Sequence, residues 1–350
     1  MQTAVSSPLL QGPALTPISL VRGIVQAYVA RGMNPEPALA LAQITPVQLQ
    51  NPAGRITAAQ MEAISGAAMR ELDDEGLGCL GRALPWGSYG MLARASLSAP
   101  TLAVALKRWC RHHRLIAPER PVTLEWLPGS GLARIQIGSH QPWHQLPPDV
   151  AELCVVSVLR NIHGLASWWV DSRLPLLGTR LPYPAPPHAD AYRVLFDGPC
   201  HFNATEGSID IDARYLALPL RRDEAAMNQL LQRALPLTVR SYRRDRLLVQ
   251  RVRQALADGM DTLHNAEALA ARLNVSVRTL HRQLKEEGAS LQALKDEVRR
   301  QRATDLLLRT RRPVKQVALE SGFLNEKSFI RAFRSWTGQS PAEWRQQQLP

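Results

Sequence analysis

The sequence predicts an α+β domain followed by an all-α domain of two helix-turn-helix units joined by a long helix. Three observations predict it. A short amphipathic helix, a turn and a second helix with a basic outer face occur twice near the C-terminus, about 49 residues apart. Positive charge follows the repeat. Of the net +12, residues 240–350 carry +10, from 22 Lys+Arg against 12 Asp+Glu, and the first 239 residues carry +2, from 20 against 18. The N-terminal part instead mixes helix-period stretches with short alternating runs bounded by Gly and Pro.

The bulk numbers bound the class. Apolar residues at 45% supply ordinary cores, and 21% charged residues exclude a disordered chain. An excess of basic residues in one domain points to an anionic partner, nucleic acid or a membrane surface. Cys79, Cys110, Cys154 and Cys200 lie far apart with no Cys-x-x-Cys, against a zinc site or disulfide framework and for a reducing compartment. Met1 to Leu20 lacks a basic start followed by an apolar run, and the most apolar stretch, Leu153 to Val170, is broken by Arg160, Asn161 and His163. A buried helix and a cytoplasmic protein without membrane partner are expected.

Along the chain, residues 1–15 read as frayed. Thr16-Pro17 offers an N-cap and a first-turn proline for a helix with Ile18, Val21, Val25, Tyr28 and Val29 on one face and Gly32 at its end. Helix is expected around 36–50, 57–75, 100–115 and 149–168. Val122–Trp126 and Leu132–Ile137 flank Pro128-Gly129-Ser130-Gly131 as a hairpin, with Val122, Leu124 and Trp126 on one face. Residues 171–202 are Pro-rich and mix loop with strand, and 208–211 alternate as a strand. The boundaries are 16–222 for the α+β domain, 223–246 for a charged linker or helix, and 247–350 for the helical domain.

In the first repeat, Ala268, Leu269 and Leu273 mark a short helix, Asn274-Val275 a turn, and Ser276 an N-cap. Val277, Leu280 and Leu284 then face inward at i, i+3, i+7. The opposite face carries Arg278, Thr279, His281, Arg282 and Lys285. In the second, Val314, Val317 and Ala318 precede Ser321-Gly322-Phe323, and Asn325 caps a helix through Trp336. Phe329 and Phe333 replace Leu280 and Leu284, and the outer face is Glu326, Lys327, Ser328, Arg331 and Arg334. A helix with such a face suits the major groove, where Arg pairs with guanine and Lys or Thr holds phosphates. Between the units, Leu291 to Arg309 reads as one helix with Leu294, Val298, Leu306 and Leu307 inward. Its nineteen residues span ~28 Å, against ~34 Å for one turn of B-DNA, about right for successive grooves on one DNA face. Arg299, Arg300, Arg302, Arg309, Arg311 and Arg312 lie on or just after it, within reach of phosphates.

Residues 247–350 resemble the AraC/XylS transcription regulators. The resemblance rests on Leu269-Ala270, Ser276, Arg278 to Arg282, Leu284-Lys285 and Gly288. It is sharper at Val317-Ala318, Gly322-Phe323, Ser328-Phe329, Arg331 to Arg334, Gly338, Ser340-Pro341 and Trp344-Arg345. It implies base-reading positions Arg278, His281 and Arg282, then Glu326, Lys327, Ser328 and Arg331. Asn325-Glu326-Lys327 departs from the uncharged residues commoner in the family; Glu326 favours a cytosine amine or pairs with a neighbour. Residues 16–235 resemble the arabinose-binding-like sensory domain of regulators related to those of ornithine utilisation. That likeness rests on Leu84-Pro85, Gly87 to Gly90, Ser98 to Leu102, Ala105-Leu106, Phe196 to Phe202, Leu216 and Leu218 to Leu220. Together these imply a non-enzymatic regulator with no cofactor, binding double-stranded promoter DNA. They further imply a small-molecule effector of unknown identity, a homodimer, and activation by recruiting RNA polymerase.

Other constellations are weighed against that reading. Trp86, Ser88, Tyr89 and Trp109 are candidates for an effector pocket, with Gly87 and Gly90 as turn residues. Cys110, His112 and His113 lack a carboxylate or second Cys cluster nearby, so a structural reading replaces a metal. Pro199-Cys200-His201-Phe202 is similar to the Pro-Cys-His-Arg of DNA alkyltransferases, with Phe202 for Arg, and keeps a DNA-targeted enzyme as one alternative. An architectural protein without sequence preference is another.

Overall fold

The computed structural model describes residues 8–127, 129–232, 247–258, 265–286 and 289–348. The chain divides into two compact units, residues 1–243 and 244–350.

The first unit is a helical layer against a five-stranded sheet. Its helices are α1 (Ile18–Val29), α2 (Glu36–Leu41), α3 (Pro46–Gln50), α4 (Ala58–Glu71), α5 (Ser88–Ser96), α6 (Leu102–Ile116), α7 (Pro148–Trp169), α8 (Tyr192–Leu195) and α9 (Glu224–Leu231). Strands β1 (Ala14–Pro17) and β2 (Arg55–Thr57) form a small antiparallel pair. Strands β3 (Val122–Leu127), β4 (Leu132–Ile137), β5 (Leu176–Arg180), β6 (Cys200–His201) and β7 (Gly207–Asp212) make the main sheet, in the order β3-β4-β7-β5-β6. It is antiparallel except for β5 with β6.

The long apolar helix α7 is the centre of this unit. It packs on β4 and β7 from one side and on α1 from another. It is the one described helix long and apolar enough to cross a membrane, and most of it is buried in the fold. Two glycines allow the close packing. A Cβ at Gly23 would stand 2.7 Å from the Asp149 carbonyl oxygen, and one at Gly207 would stand 2.7 Å from Val155 Cγ1. Beside Gly23, Arg22 grips Asp149 with two bonds of 2.9 Å, fixing α1 to the start of α7.

The structure departs from several of the expectations drawn from the sequence. Thr16-Pro17 ends β1, so Pro17, not Thr16, precedes the first turn of α1, and no side chain caps it. The helix expected over 36–50 is two short helices. Thr45 and Thr57 instead form capping boxes, each reciprocated by the glutamine three residues on. Trp126 is 64% exposed, so the inward face of β3 fades along the strand. Residues 88–96 form α5; Gly87 (φ 101°) is its left-handed entry, but Gly90 is helical, not a turn residue. Its missing side chain admits Leu231 of α9, whose Cδ2 would stand 3.2 Å from a Cβ there. The first part of the expected linker is therefore helix packed on α5, with Arg94 bonding Glu224 and Asn228. Residues 233–246 and Gly288 lie outside the described residues.

The second unit is helical throughout its described residues: α10 (Leu247–Asp258), α11 (Ala266–Arg272), α12 (Val277–Glu286), α13 (Leu291–Arg309), α14 (Val314–Glu320), α15 (Glu326–Thr337) and α16 (Pro341–Gln348). It holds two cores. In the first, Val252 of α10 joins Leu269, Leu273, Leu280 and Leu284, with Leu291 and Leu294 from the start of α13. In the second, Ala303, Leu306 and Leu307 from the end of α13 join Val317, Ala318, Phe329 and Phe333. One helix thus serves both cores.

Candidate nucleic-acid interface

Each helix-turn-helix is closed by local hydrogen bonds. In the first, Asn265 caps α11 by accepting from the Ala268 N–H at 2.8 Å. Asn274 takes φ 55°, a conformation asparagine tolerates better than most residues, and Val275 N–H returns to Ala270 O at 3.0 Å. Ser276 Oγ then accepts from Thr279 N–H at 3.1 Å and donates to Thr279 Oγ1 at 2.8 Å. In the second, Gly322 takes φ 78° and Phe323 N–H returns to Ala318 O at 3.0 Å. Asn325 Oδ1 accepts from Ser328 N–H at 2.9 Å, and Ser328 Oγ donates to the Asn325 carbonyl at 2.9 Å. Gly338, left-handed at φ 78°, ends α15.

These caps give Ser276 and Asn325 a definite job, the start and direction of each outer helix. The rest of the nominated residues spread over the outer faces. Arg278, His281, Arg282 and Lys285 are exposed on α12 while Leu280 and Leu284 are buried beneath them. Lys327, Arg331 and Arg334 are exposed on α15 above the fully buried Phe329 and Phe333. Thr279, Glu326 and Ser328 are half-buried at the helix starts. Arg278, Lys285, Lys327, Arg331 and Arg334 form no ion pair among the described residues. Cationic side chains held on a helix face without an internal partner are available to phosphate and base edges.

The connector α13 is a single helix of 19 residues, as the spacing predicts, or ~28 Å. Not all its arginines are equivalent. Arg299 lies over the Phe323 ring at 5.0 Å, and Arg312, just beyond the helix, pairs with Glu320. Arg300, Arg302 and Arg309 remain exposed.

The first unit contains a cavity of about 1080 Å³ between α4, α5, α7 and α9, with an inner recess of about 70 Å³. Trp86 and Tyr89 line the cavity. Ser88 does not, since its hydroxyl donates to Pro85 O at 2.7 Å. Trp109 is fully buried, stacked on His113 at 4.8 Å and on Tyr89 at 6.1 Å, so it supports the wall from behind. The sequence reading missed Glu62, Met69, Glu75 and Asn161, which line both spaces. Glu75 is held by the N–H groups of Gly87 and Tyr89 at 2.8 and 2.7 Å, and burial raises its carboxyl. Ser65, Ser157 and Asn161 face these spaces with no side-chain hydrogen bond among the described residues. Their only signal in the sequence is polar residues on otherwise apolar helix faces.

The other residues singled out in the sequence, Cys110, His112, His113 and Cys200, are buried or half-buried. Burial lowers His113 to about 4, keeping it neutral, and raises Cys110 to about 12. No group of three or more His, Cys, Asp or Glu residues is placed to hold a metal among the described residues. Cys200 donates to Gly198 O and Tyr192 O at 3.6 and 3.8 Å, and burial raises its thiol, the reverse of what a nucleophile needs.

Comparison with known proteins agrees with this division. Residues 32–220 match the arabinose-binding domain of AraC transcription regulators, and residues 269–347 match a helix-turn-helix domain. The chain is 25% identical over 340 residues to the Ornithine utilization regulator of Pseudomonas aeruginosa, covering 97% of this chain and 98% of that protein. It is 30% identical over 196 residues to the regulator VqsM of the same species, covering 53% of this chain and 59% of VqsM. Among solved structures, the DNA-binding domain of AdpA in complex with a target DNA is 33% identical, covering 28% of this chain and 88% of that one, with a TM-score of 0.25. The first of these matches alone spans more than half of the sequence, and the chain belongs to the AraC family of DNA-binding transcription regulators, a non-enzymatic family, with a sensory N-terminal domain and a helix-turn-helix domain that binds DNA.

Proposed function

We propose that the protein is an effector-responsive activator that reads two adjacent major grooves of a promoter with α12 and α15. One observation carries this: two outer helix faces whose Arg278, Lys285, Lys327, Arg331 and Arg334 form no ion pair among the described residues, each face above its own core and both cores tied to one ~28 Å helix. Arg278, His281 and Arg282 read bases in one groove, and Glu326, Lys327, Ser328 and Arg331 in the next. With its hydroxyl proton given to Asn325 O, Ser328 presents a lone pair; Glu326 accepts from a cytosine amine. Thr279, Lys285 and Arg334 hold phosphates, while Ser276 and Asn325 orient the helices through their caps.

The effector occupies the cavity lined by Trp86 and Tyr89, where Asn161 offers hydrogen bonds and Met69 and Leu231 offer apolar surface, and Ser65 and Ser157 offer further hydrogen bonds in the adjoining recess. Its arrival alters the affinity of a homodimer for the promoter and the recruitment of RNA polymerase. The test is a gel shift of the purified protein on its own upstream region, against scrambled competitor at two salt concentrations. Competitor-resistant binding supports specific reading, and loss to scrambled DNA with a steep salt slope supports an architectural protein. Ornithine and arabinose, after the naming of the relatives, are the first molecules to add. A change in shift or in reporter transcription that Asn161→Leu abolishes supports the effector site.

A further inference from the structure

Leu324 is 89% exposed, the most exposed large apolar side chain among the described residues, and it immediately precedes the cap of α15. The internal repeat shows that this is a departure. The residue before the cap of α12 is Val275, which packs against the first core. An apolar residue in that position ordinarily closes against the fourth helical residue, here Leu280 for Val275 and Phe329 for Leu324. In the second unit Phe323 takes that role instead, with its ring 5.4 Å from Phe329 and 5.9 Å from Trp336. Leu324 is left outside the second core. Its backbone is nonetheless fixed, between the Phe323 N–H bonded to Ala318 O and the Asn325 cap. A leucine with a fixed backbone that joins no core among the described residues stands at the end of a helix whose neighbouring exposed groups, Lys327 and Arg331, are cationic.

We propose that Leu324 is a specificity-determining residue that contacts the C5-methyl group of a thymine in the major groove. The inference rests on α15 being a groove reader, as proposed above. The thymine methyl is the one apolar feature of a major-groove base edge, and an apolar side chain is the group that distinguishes it. The surrounding cations bring the backbone in, and the leucine then selects at one position. A protein partner for the same side chain, such as polymerase, is the alternative that the test separates.

The experiment uses the full chain and its footprinted site, with each thymine of the second half replaced in turn by deoxyuridine, which removes only the methyl. Burial of one methyl is worth ~0.8 kcal/mol, or about fourfold. One replacement is expected to weaken the wild type about fourfold and to leave Leu324→Ser unaffected, while 5-methylcytosine at that position restores the wild type relative to cytosine. The proposal is overturned if every replacement weakens both proteins equally. It is overturned equally if Leu324→Ser binds as the wild type does but loses transcription, which would assign the side chain to a protein. If the wild type itself does not resist scrambled competitor, the groove-reading proposal has failed instead, and the competitor lane shows which.

Discussion

Arg331 and Phe333 lie two residues apart on α15 and separate recognition from folding. Arg331 is exposed with no ion pair among the described residues, while Phe333 is fully buried against Phe329, Trp336 and Trp344, with ring centroids 5.6, 6.4 and 5.9 Å away. Arg331→Ala removes nothing the fold uses, so its effect on stability should stay within ~0.5 kcal/mol. Loss of a bidentate base contact costs ~1–3 kcal/mol, about 5- to 150-fold, on the specific site alone. Phe333→Ala opens the second core and costs ~3–5 kcal/mol of stability. Thermal melting and gel shifts on specific and scrambled DNA measure both quantities. Equal losses for Arg331→Ala on the two DNAs would make Arg331 a phosphate contact. A lowered melting temperature would show that its alkyl chain packs, and either result refutes the assignment.

Asn325→Ala removes the cap of α15 and should cost ~1 kcal/mol of stability, with Asn325→Ser recovering most of it in a denaturant melt. Gly23→Ala gains ~1 kcal/mol of helix propensity but drives a Cβ to 2.7 Å from the Asp149 carbonyl, so a net loss of ~1–2 kcal/mol is expected; a stabilised variant would show that α1 can move. Among the described residues both ring nitrogens of His113 are buried without hydrogen-bond partners, and burial holds it at about 4, below the usual 6.5. The unfolded chain therefore binds this proton more readily, so His113 contributes stability above pH 6.5 that is lost as pH falls from about 6.5 to about 4. The gap is worth ~3 kcal/mol. His113→Leu should flatten the acid limb of a stability–pH curve over that window, and an unchanged limb would sink the assignment.

The helix-turn-helix repeat was legible because every feature of it is local. Each N-cap sits three residues from the N–H it satisfies, the inward positions recur at helical spacing, and the same pattern appears twice. Phe329 and Phe333 could be matched to Leu280 and Leu284 without any knowledge of tertiary contacts. The cavity was not legible for the opposite reason. Met69, Glu75, Tyr89, Asn161 and Leu231 come from five separate places in the chain, and their grouping depends on how α7 crosses the other helices. Helix α5 was obscured by Gly87 and Gly90, which read as a turn. Only one of them supplies a left-handed entry; the other makes room for Leu231.

Leu324 shows how a local pattern can mislead within a legible motif. An apolar residue just before a helix cap normally signals a staple into the core, and Val275 obeys that rule. The rule assigns one apolar slot, however, and the second unit offers two candidates for it, Phe323 and Leu324. The larger aromatic fills the slot because it reaches Phe329 and Trp336 together and carries Arg299 over its ring at 5.0 Å. The second candidate is then forced outward, where an apolar side chain gains nothing from water. A fold that had no use for it would lose little by carrying serine there, which is why exchange to serine is the substitution that separates a recognition role from a structural one.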